Sequence, residues 1–170
     1  MMKQLKSLLI AALLFVGASQ AVSAQTKVAH VNVSELLDAM PEMKAAKAQI
    51  EKLGKTYDTE YNTMVEEFRT KIKKYDAEQN TVTAAVNDAR QTEVQDMRAR
   101  IEQYQQTAAK ELQTKQEDIV KPILEKAKKA IEKVGKAKGF QYVLDASNGT
   151  GVLLADGTNL LADIKKELGF

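Results

Sequence analysis

The chain has 170 residues with no Cys, no Trp, two Pro, four Phe and five Tyr, and 28% of it is charged against 44% apolar. That balance allows one folded unit. Without cysteine there is no disulfide framework, no thiolate metal centre and no thiol nucleophile, and the single His30 leaves no second imidazole for a His-rich site. The formal charge is +2, a mildly basic value whose origin lies at the N-terminus.

Lys3 and Lys6 precede an apolar run from Leu8 to Val16, followed by Gly17, Ala18, Ser19 and then Val22-Ser23-Ala24. Small residues at that spacing after a short apolar core read as a cleaved secretory signal over 1–24. Gly17, Ser19 and Gln20 interrupt the run before the roughly 20 apolar residues that a span needs. Cleavage before Gln25 takes both lysines and no acidic residue, which leaves 23 basic and 23 acidic residues in the mature chain. The apparent basic character belongs to the signal, and the mature chain is expected to be exported.

Lys27 to Val33 (KVAHVNV) alternates with β-branched residues and reads as a strand, and Asn32 or Ser34 is placed to cap the helix after it, Asn32 with Glu35 having capping-box spacing. From Leu36 the apolar residues fall into two interleaved series of seven: Leu36, Met43, Ile50, Tyr57, Met64, and Met40, Tyr61, Phe68, Tyr75. This is a coiled-coil repeat over about 40 residues, or roughly 60 Å of helix. Lys47, Gly54 and Lys71 occupy seam positions where an ideal coil is apolar, with Leu53 and Ile72 beside two of them. Glu78-Gln79-Asn80-Thr81 then turns the chain, with the tip near 76–84.

The stripe resumes through Val86, Val94, Met97, Ile101, Tyr104, Ala108, Leu112, Ile119, Ile123, Ala130, Val134 and Ala137, so residues 36–138 form an antiparallel helical hairpin. Pro122 lies inside the second helix, where its missing N–H and its ring predict a bend; Gly54 is the matching hinge candidate in the first. Between Gly54 and Lys121 only 10 of 68 residues are Leu, Ile, Val or Phe, with 11 basic and 13 acidic residues, so the distal seam is thin and soft. After the Lys138-Gly139 helix stop, Phe140 to Leu144 reads as a strand, and Ser147 to Gly151 as a hairpin turn returning through a strand at Val152 to Ala155. Asp156 to Asn159 turns again and caps a final helix from Leu160 to Leu168, with Leu161, Ile164 and Leu168 on one face. The fold class is therefore α+β, a long antiparallel helical hairpin on a small β-rich head made of 25–35 and 139–170. A head of that size has a marginal core and gains from oligomerisation through its sheet edges.

Little in the chain suits catalysis. His30 reads as structural, the Asp and Glu residues are spread among Lys and Arg as on solvated helices, and Gly149, Gly151 and Gly157 make no phosphate loop. No cofactor or metal is expected, and the chain reads as a non-enzyme. Asn32-Val33-Ser34 and Asn148-Gly149-Thr150 match the N-glycosylation pattern and are read as capping and turn chemistry. Lys126, Lys128, Lys129, Lys133, Lys136 and Lys138 face only Glu125 and Glu132 in sequence; helix-dipole chemistry accounts for them, with weak anionic-lipid contact as the alternative. No aromatic interrupts the lysines, so no nucleic-acid partner is expected. The distal Tyr57, Tyr61, Met64, Phe68, Tyr75, Met97 and Tyr104 are read first as the seam itself, and then as a wet, adaptable surface for weak contact with varied apolar segments.

The succession of KVAHVNV, the long hairpin, Ile119-Val120-Lys121-Pro122-Ile123-Leu124, Ile131-Glu132-Lys133-Val134 and Gly139-Phe140-Gln141-Tyr142-Val143-Leu144-Asp145 resembles the OmpH-like (Skp) family of periplasmic chaperones over essentially the whole mature chain. The family's Asp-[Ile/Val]-Thr opening to the last helix is replaced by Thr158-Asn159-Leu160. The resemblance implies a homotrimer with hairpins projecting around a cavity, an ATP-independent holdase for unfolded outer-membrane β-barrel proteins. On that reading Val28, Val31, Val143, Val152 and Leu154 are expected in the head core or the trimer interface. Tyr57, Tyr61, Met64, Phe68, Met97 and Tyr104 are expected to contact clients, with Arg69, Lys73, Arg90 and Arg98 as polar contacts. The best-known family members are strongly basic and this mature chain is neutral, so lipopolysaccharide binding and strong electrostatic capture are not carried over. A non-catalytic coiled-coil scaffold that tethers envelope partners is the alternative.

Overall fold

The computed structural model describes residues 26–170; the signal segment expected at 1–24 lies outside the described residues. Strand β1 (Val28–Val31) leads through Asn32 into the short helix α1 (Val33–Ala39). Asn32 is the cap, its Oδ1 accepting from the Glu35 amide at 2.9 Å. The continuous helix expected from Leu36 is broken after Ala39: Met40 is extended (φ −63°, ψ 126°) and Pro41 opens the helix α2 (Pro41–Glu78). The cause is local. A residue before proline is pushed out of the helical region, while proline suits the first position of a new helix. The apolar repeat survives the break, because Leu36, Met40 and Met43 are all buried.

Helix α2 ends at Glu78, residues 79–83 turn, and α3 (Ala84–Ala137) begins with Thr83 capping the Val86 amide. The two helices are about 57 and 81 Å long at 1.5 Å per residue, and α3 is helical on both sides of Pro122. It stops where the sequence indicates, with Gly139 in the left-handed region at φ +75°.

Strand β2 (Tyr142–Asp145) then pairs parallel to β1 with Val28 opposite Tyr142, and β3 (Thr158–Asn159) pairs parallel to the other edge of β1, giving the order β2-β1-β3. Parallel strands require a crossover. Here the crossover from β1 to β2 is α1 and the whole helical hairpin.

The returning strand expected at Val152 to Ala155 is absent, and Thr158–Asn159, expected as a turn, is strand instead. Gly149 and Gly151 both adopt positive φ (88° and 87°), and the Thr150 hydroxyl donates to the carbonyls of Asp145 (2.7 Å) and Ser147 (2.8 Å). This folds the turn back over the end of β2, so the chain passes to the far side of β1 rather than doubling back as a hairpin. Helix α4 (Leu161–Leu168) follows, its first amide held by Asn159 Oδ1 at 2.9 Å.

The core forms where these elements meet. Ala29 and Val31 from β1, Leu36 from α1, Met40 at the break and Met43 from α2 pack with Ala127, Ala130 and Val134 of α3 and with Leu160 and Ile164. The base of the hairpin is thus part of the head's core. Gly135 lets α3 approach β2: a Cβ there would sit 2.8 Å from Val143 Cγ2. At the sheet's end Asp145 Oδ1 accepts from the Ser147 hydroxyl (2.6 Å), the Ser147 amide (2.9 Å) and the Val33 amide (3.3 Å). The Ser147 hydroxyl oxygen also lies 3.1 Å from Asn32 Oδ1 and accepts from the Ser34 amide (3.0 Å). Burial opposes the charge on Asp145, but these hydrogen bonds outweigh it and hold the carboxyl below its usual range. Ion pairs Lys138–Asp163 (2.6 Å) and Lys133–Glu167 (2.5 Å) tie α4 to α3.

Candidate functional site

Beyond the core, α2 and α3 continue together with few apolar residues between them. The buried apolar contacts of the distal seam reduce to Met97 and Ala108; Tyr57, Tyr61, Met64, Phe68 and Tyr104 are half-buried along the same line. Polar ties supplement that thin, half-buried apolar seam. Tyr57 on α2 donates its hydroxyl to Glu111 on α3 at 2.9 Å, and Tyr104 on α3 donates back to Glu60 on α2 at 2.7 Å. Nearer the tip, Lys71 and Tyr75 of α2 both donate to Glu93 of α3, and Arg90 of α3 pairs with Glu78 while its guanidinium lies 4.5 Å over the Tyr75 ring.

These partners shift one another's protonation. The Glu111 carboxylate, with burial, raises the Tyr57 phenol; burial and Glu60 push Tyr104 up to about 12. Glu93 is lowered by the hydrogen bonds from Lys71 and Tyr75, and both donors are raised in return. Each tyrosine therefore presents its ring toward the seam and keeps its proton for a carboxylate on the other helix. Glu60, Glu93 and Glu111 had read as solvated helical charges in the sequence. The one signal that marked this region was Lys71 standing at a seam position, and Glu93 is its partner.

The polar residues expected beside the aromatics are placed differently from one another. Arg69 is exposed and pairs with Glu66 at 2.6 Å, Arg98 is exposed and lies 3.2 Å from Glu102, and Lys73 is exposed. Arg90 is drawn into the seam, its side chain only 17% exposed. Gly54, another irregular seam position, leaves open space, with nothing within 4 Å of a Cβ built on it. A groove of about 360 Å³ lies there, bordered by Tyr57, Tyr61 and Tyr104. The lysine cluster near the end of α3 is partly neutralised: Lys126 pairs with Glu42, and Lys133 and Lys138 are held by α4.

A second apolar surface lies on the head. Ala29 and Val31 face the core, whereas Val28, Tyr142 and Leu144 are exposed on the outer face of the sheet. Leu153 and Leu154 project from the loop between β2 and β3, 101% and 82% exposed. Of the residues expected in the head core or an interface, Val31 is buried, Val143 and Val152 are half-buried, and Val28 and Leu154 are exposed. Among the described residues no group of His, Cys, Asp or Glu is arranged to hold a metal ion, and no helix is long and apolar enough to cross a membrane.

A long antiparallel hairpin inserted between two parallel strands of a small α/β head, with a thin polar-tied distal seam, defines the class of protein. The chain belongs to the outer membrane protein (OmpH-like) family, whose pattern it matches over residues 27–168. It is 24% identical over 155 residues to the chaperone protein Skp of Pectobacterium atrosepticum, covering 91% of this chain and 93% of that protein. It is 26% identical over 166 residues to the chaperone protein Skp of Yersinia enterocolitica, covering 96% and 99%. The fold is similar to a solved structure from Caulobacter crescentus described as an OmpH-like outer membrane chaperone, with a TM-score of 0.76 over 85% of each chain at 16% identity.

Proposed function

We propose that this protein is an ATP-independent periplasmic holdase, exported by cleavage before Gln25, that keeps unfolded outer-membrane β-barrel proteins from aggregating in a cavity between helical hairpins. The observation that carries the reading is the division of the chain into a head that holds the buried apolar cluster and a distal hairpin whose seam is thin, aromatic and polar-tied. Similarity to chaperones along nearly the whole chain supports it. On this account residues 25–35 and 139–170 form the association head, and 36–138 form the projecting arm.

Association as a homotrimer is supported by the outer face of the sheet. Parallel sheets are ordinarily covered on both faces, yet Val28, Tyr142 and Leu144 are open here and Leu153 and Leu154 stand beyond them. Copies of the same chain cover this face, with Val152 at its margin, while Val143 faces α3 from the core side of the sheet. Half-buried Tyr57, Tyr61, Met64, Phe68 and Tyr104, with Met97 beneath them, contact the client, the rings offering apolar faces and the thioethers re-packing around it. Exposed Arg69, Lys73 and Arg98 supply polar contacts, Arg90 being committed to Glu78 and the Tyr75 ring, and Gly54 and Pro122 allow the arms to bend. Many weak contacts then hold one client without fixing its shape.

The test is dilution of a urea-unfolded β-barrel protein into buffer with and without the chain, followed by light scattering. Suppression at a several-fold excess of trimer is expected. No suppression at that excess sinks the holdase reading and leaves an envelope scaffold.

A further inference from the structure

The groove at Gly54 has more definition than an adaptable surface requires. Gly54 on α2 faces Ala108 and Ala109 on α3, three small residues that leave the helices with space between them. Tyr57, Tyr61 and Tyr104 border that space, and Leu112 adds apolar surface to its lining. Two of the three rings are fixed, because the Tyr57 and Tyr104 hydroxyls are anchored to carboxylates of the opposite helix at 2.9 and 2.7 Å. A cleft with walls held in place costs little to organise when something enters it.

Its electrostatic character is one-sided. Asp58 lines the groove, and Glu60 and Glu111 hold the tyrosines at its rim. Among the described residues none of these three carboxylates is in an ion pair, whereas the neighbouring Lys55 is held by Glu51 at 2.6 Å; Lys110 is the exposed basic neighbour. Arg69, Arg90 and Arg98 lie farther along the hairpin and have carboxylate partners of their own. An apolar slot with aromatic walls under an acidic rim favours a large apolar side chain flanked by cationic ones, with the added attraction of a cation for the tyrosine faces.

We propose that the Gly54 groove is a recognition subsite for unfolded polypeptide, taking one aromatic side chain flanked by Lys or Arg. This rests on the holdase reading and deepens it: capture is then selective in sequence, biased toward basic-aromatic stretches of the client, and the neutral arm selects by local charge.

The test uses the full mature chain and three fluorescein-labelled Gly/Ser peptides that carry Lys-Phe-Lys, Glu-Phe-Glu or Lys-Ala-Lys at the centre, titrated by anisotropy. The Lys-Phe-Lys peptide binds tightest, and each of the other two is weaker by about fivefold or more. Gly54→Leu fills the groove and weakens Lys-Phe-Lys by about tenfold; leucine is a better helix former than glycine, so loss of folding does not account for the change, and circular dichroism of the variant verifies it. Asp58→Lys erases or inverts the charge preference without filling the space. Equal binding of the three peptides, or unchanged binding by Gly54→Leu, overturns the proposal. Suppression of aggregation measured in the same preparations keeps the two readings apart: suppression without peptide preference removes the groove alone, and peptide preference without suppression removes the holdase and leaves the groove.

Discussion

Replacing either of two helical glycines by alanine has opposite consequences in this fold. Gly135 sits in α3 against β2, and the Cβ of alanine would lie 2.8 Å from Val143 Cγ2, well inside the roughly 3.5–4.0 Å preferred by two carbons. Overpacking of this kind costs about 1–3 kcal/mol, while the better helix propensity of alanine returns about 1 kcal/mol. The net expectation for Gly135→Ala is a loss of about 1 kcal/mol. At Gly54 the same Cβ meets nothing within 4 Å, so only the propensity gain remains, about 1 kcal/mol of added stability. The propensity change is common to both variants, and their difference therefore isolates the steric term. Urea unfolding followed by far-UV circular dichroism, at one protein concentration because association shifts apparent stability, reads both. The midpoint of Gly135→Ala falls by about 0.5 M and that of Gly54→Ala rises. Adding Val143→Ala to Gly135→Ala removes the opposing methyl, so the double variant is less damaged than the two single losses combined. A Gly135→Ala protein as stable as Gly54→Ala refutes the close approach of α3 to β2.

Asp145→Ala removes the acceptor for two amides and the Ser147 hydroxyl, and a loss of about 2 kcal/mol is expected in the same assay; a change near zero contradicts the network. Asp145 and Glu93 both have carboxyls held below their ordinary values. A depressed carboxyl stabilises the fold above its unfolded pKa and loses that contribution as pH falls through the folded value, so stability is level near neutrality and declines below about pH 4. Glu93→Gln removes part of that acid sensitivity, which stability measured across the acid range will show. Tyr104 titrates at about 12; a phenol raised in the fold stabilises below its unfolded pKa and ceases to do so as pH climbs through the folded one. Alkaline titration of phenolate absorbance will therefore show a late component, shared with the raised Tyr57 and Tyr75, that Tyr104→Phe diminishes at its high-pH end, and a high-pH end unchanged in the variant assigns it elsewhere.

Much of the architecture was legible because it is set by local chemistry. The β-branched alternation of β1, the Asn32 cap, the polar turn at the tip, Gly139 after α3 and the apolar face of α4 each need only near neighbours to act. The break at Met40 was missed although Pro41 announces it, because Leu36, Met40 and Met43 keep the sevenfold repeat across the interruption. The strand expected at Val152 to Ala155 failed for a different reason. A turn signal says that the chain reverses, whereas the choice of partner edge depends on β1, more than a hundred residues earlier. The tyrosine–carboxylate ties were invisible because a glutamate that accepts a hydroxyl from another helix looks in sequence like one facing water. Departures from the ideal repeat were the better guide: Lys71 marks a polar tie and Gly54 marks a groove.

The central claim is that copies of this chain assemble through their heads and hold an unfolded client between their arms. Native mass spectrometry of the chain mixed with a urea-diluted β-barrel protein tests assembly and capture together. The account predicts a complex of three chains with one client, and a trimer when the client is omitted. A monomer at micromolar concentration, or a trimer that retains no client, contradicts it.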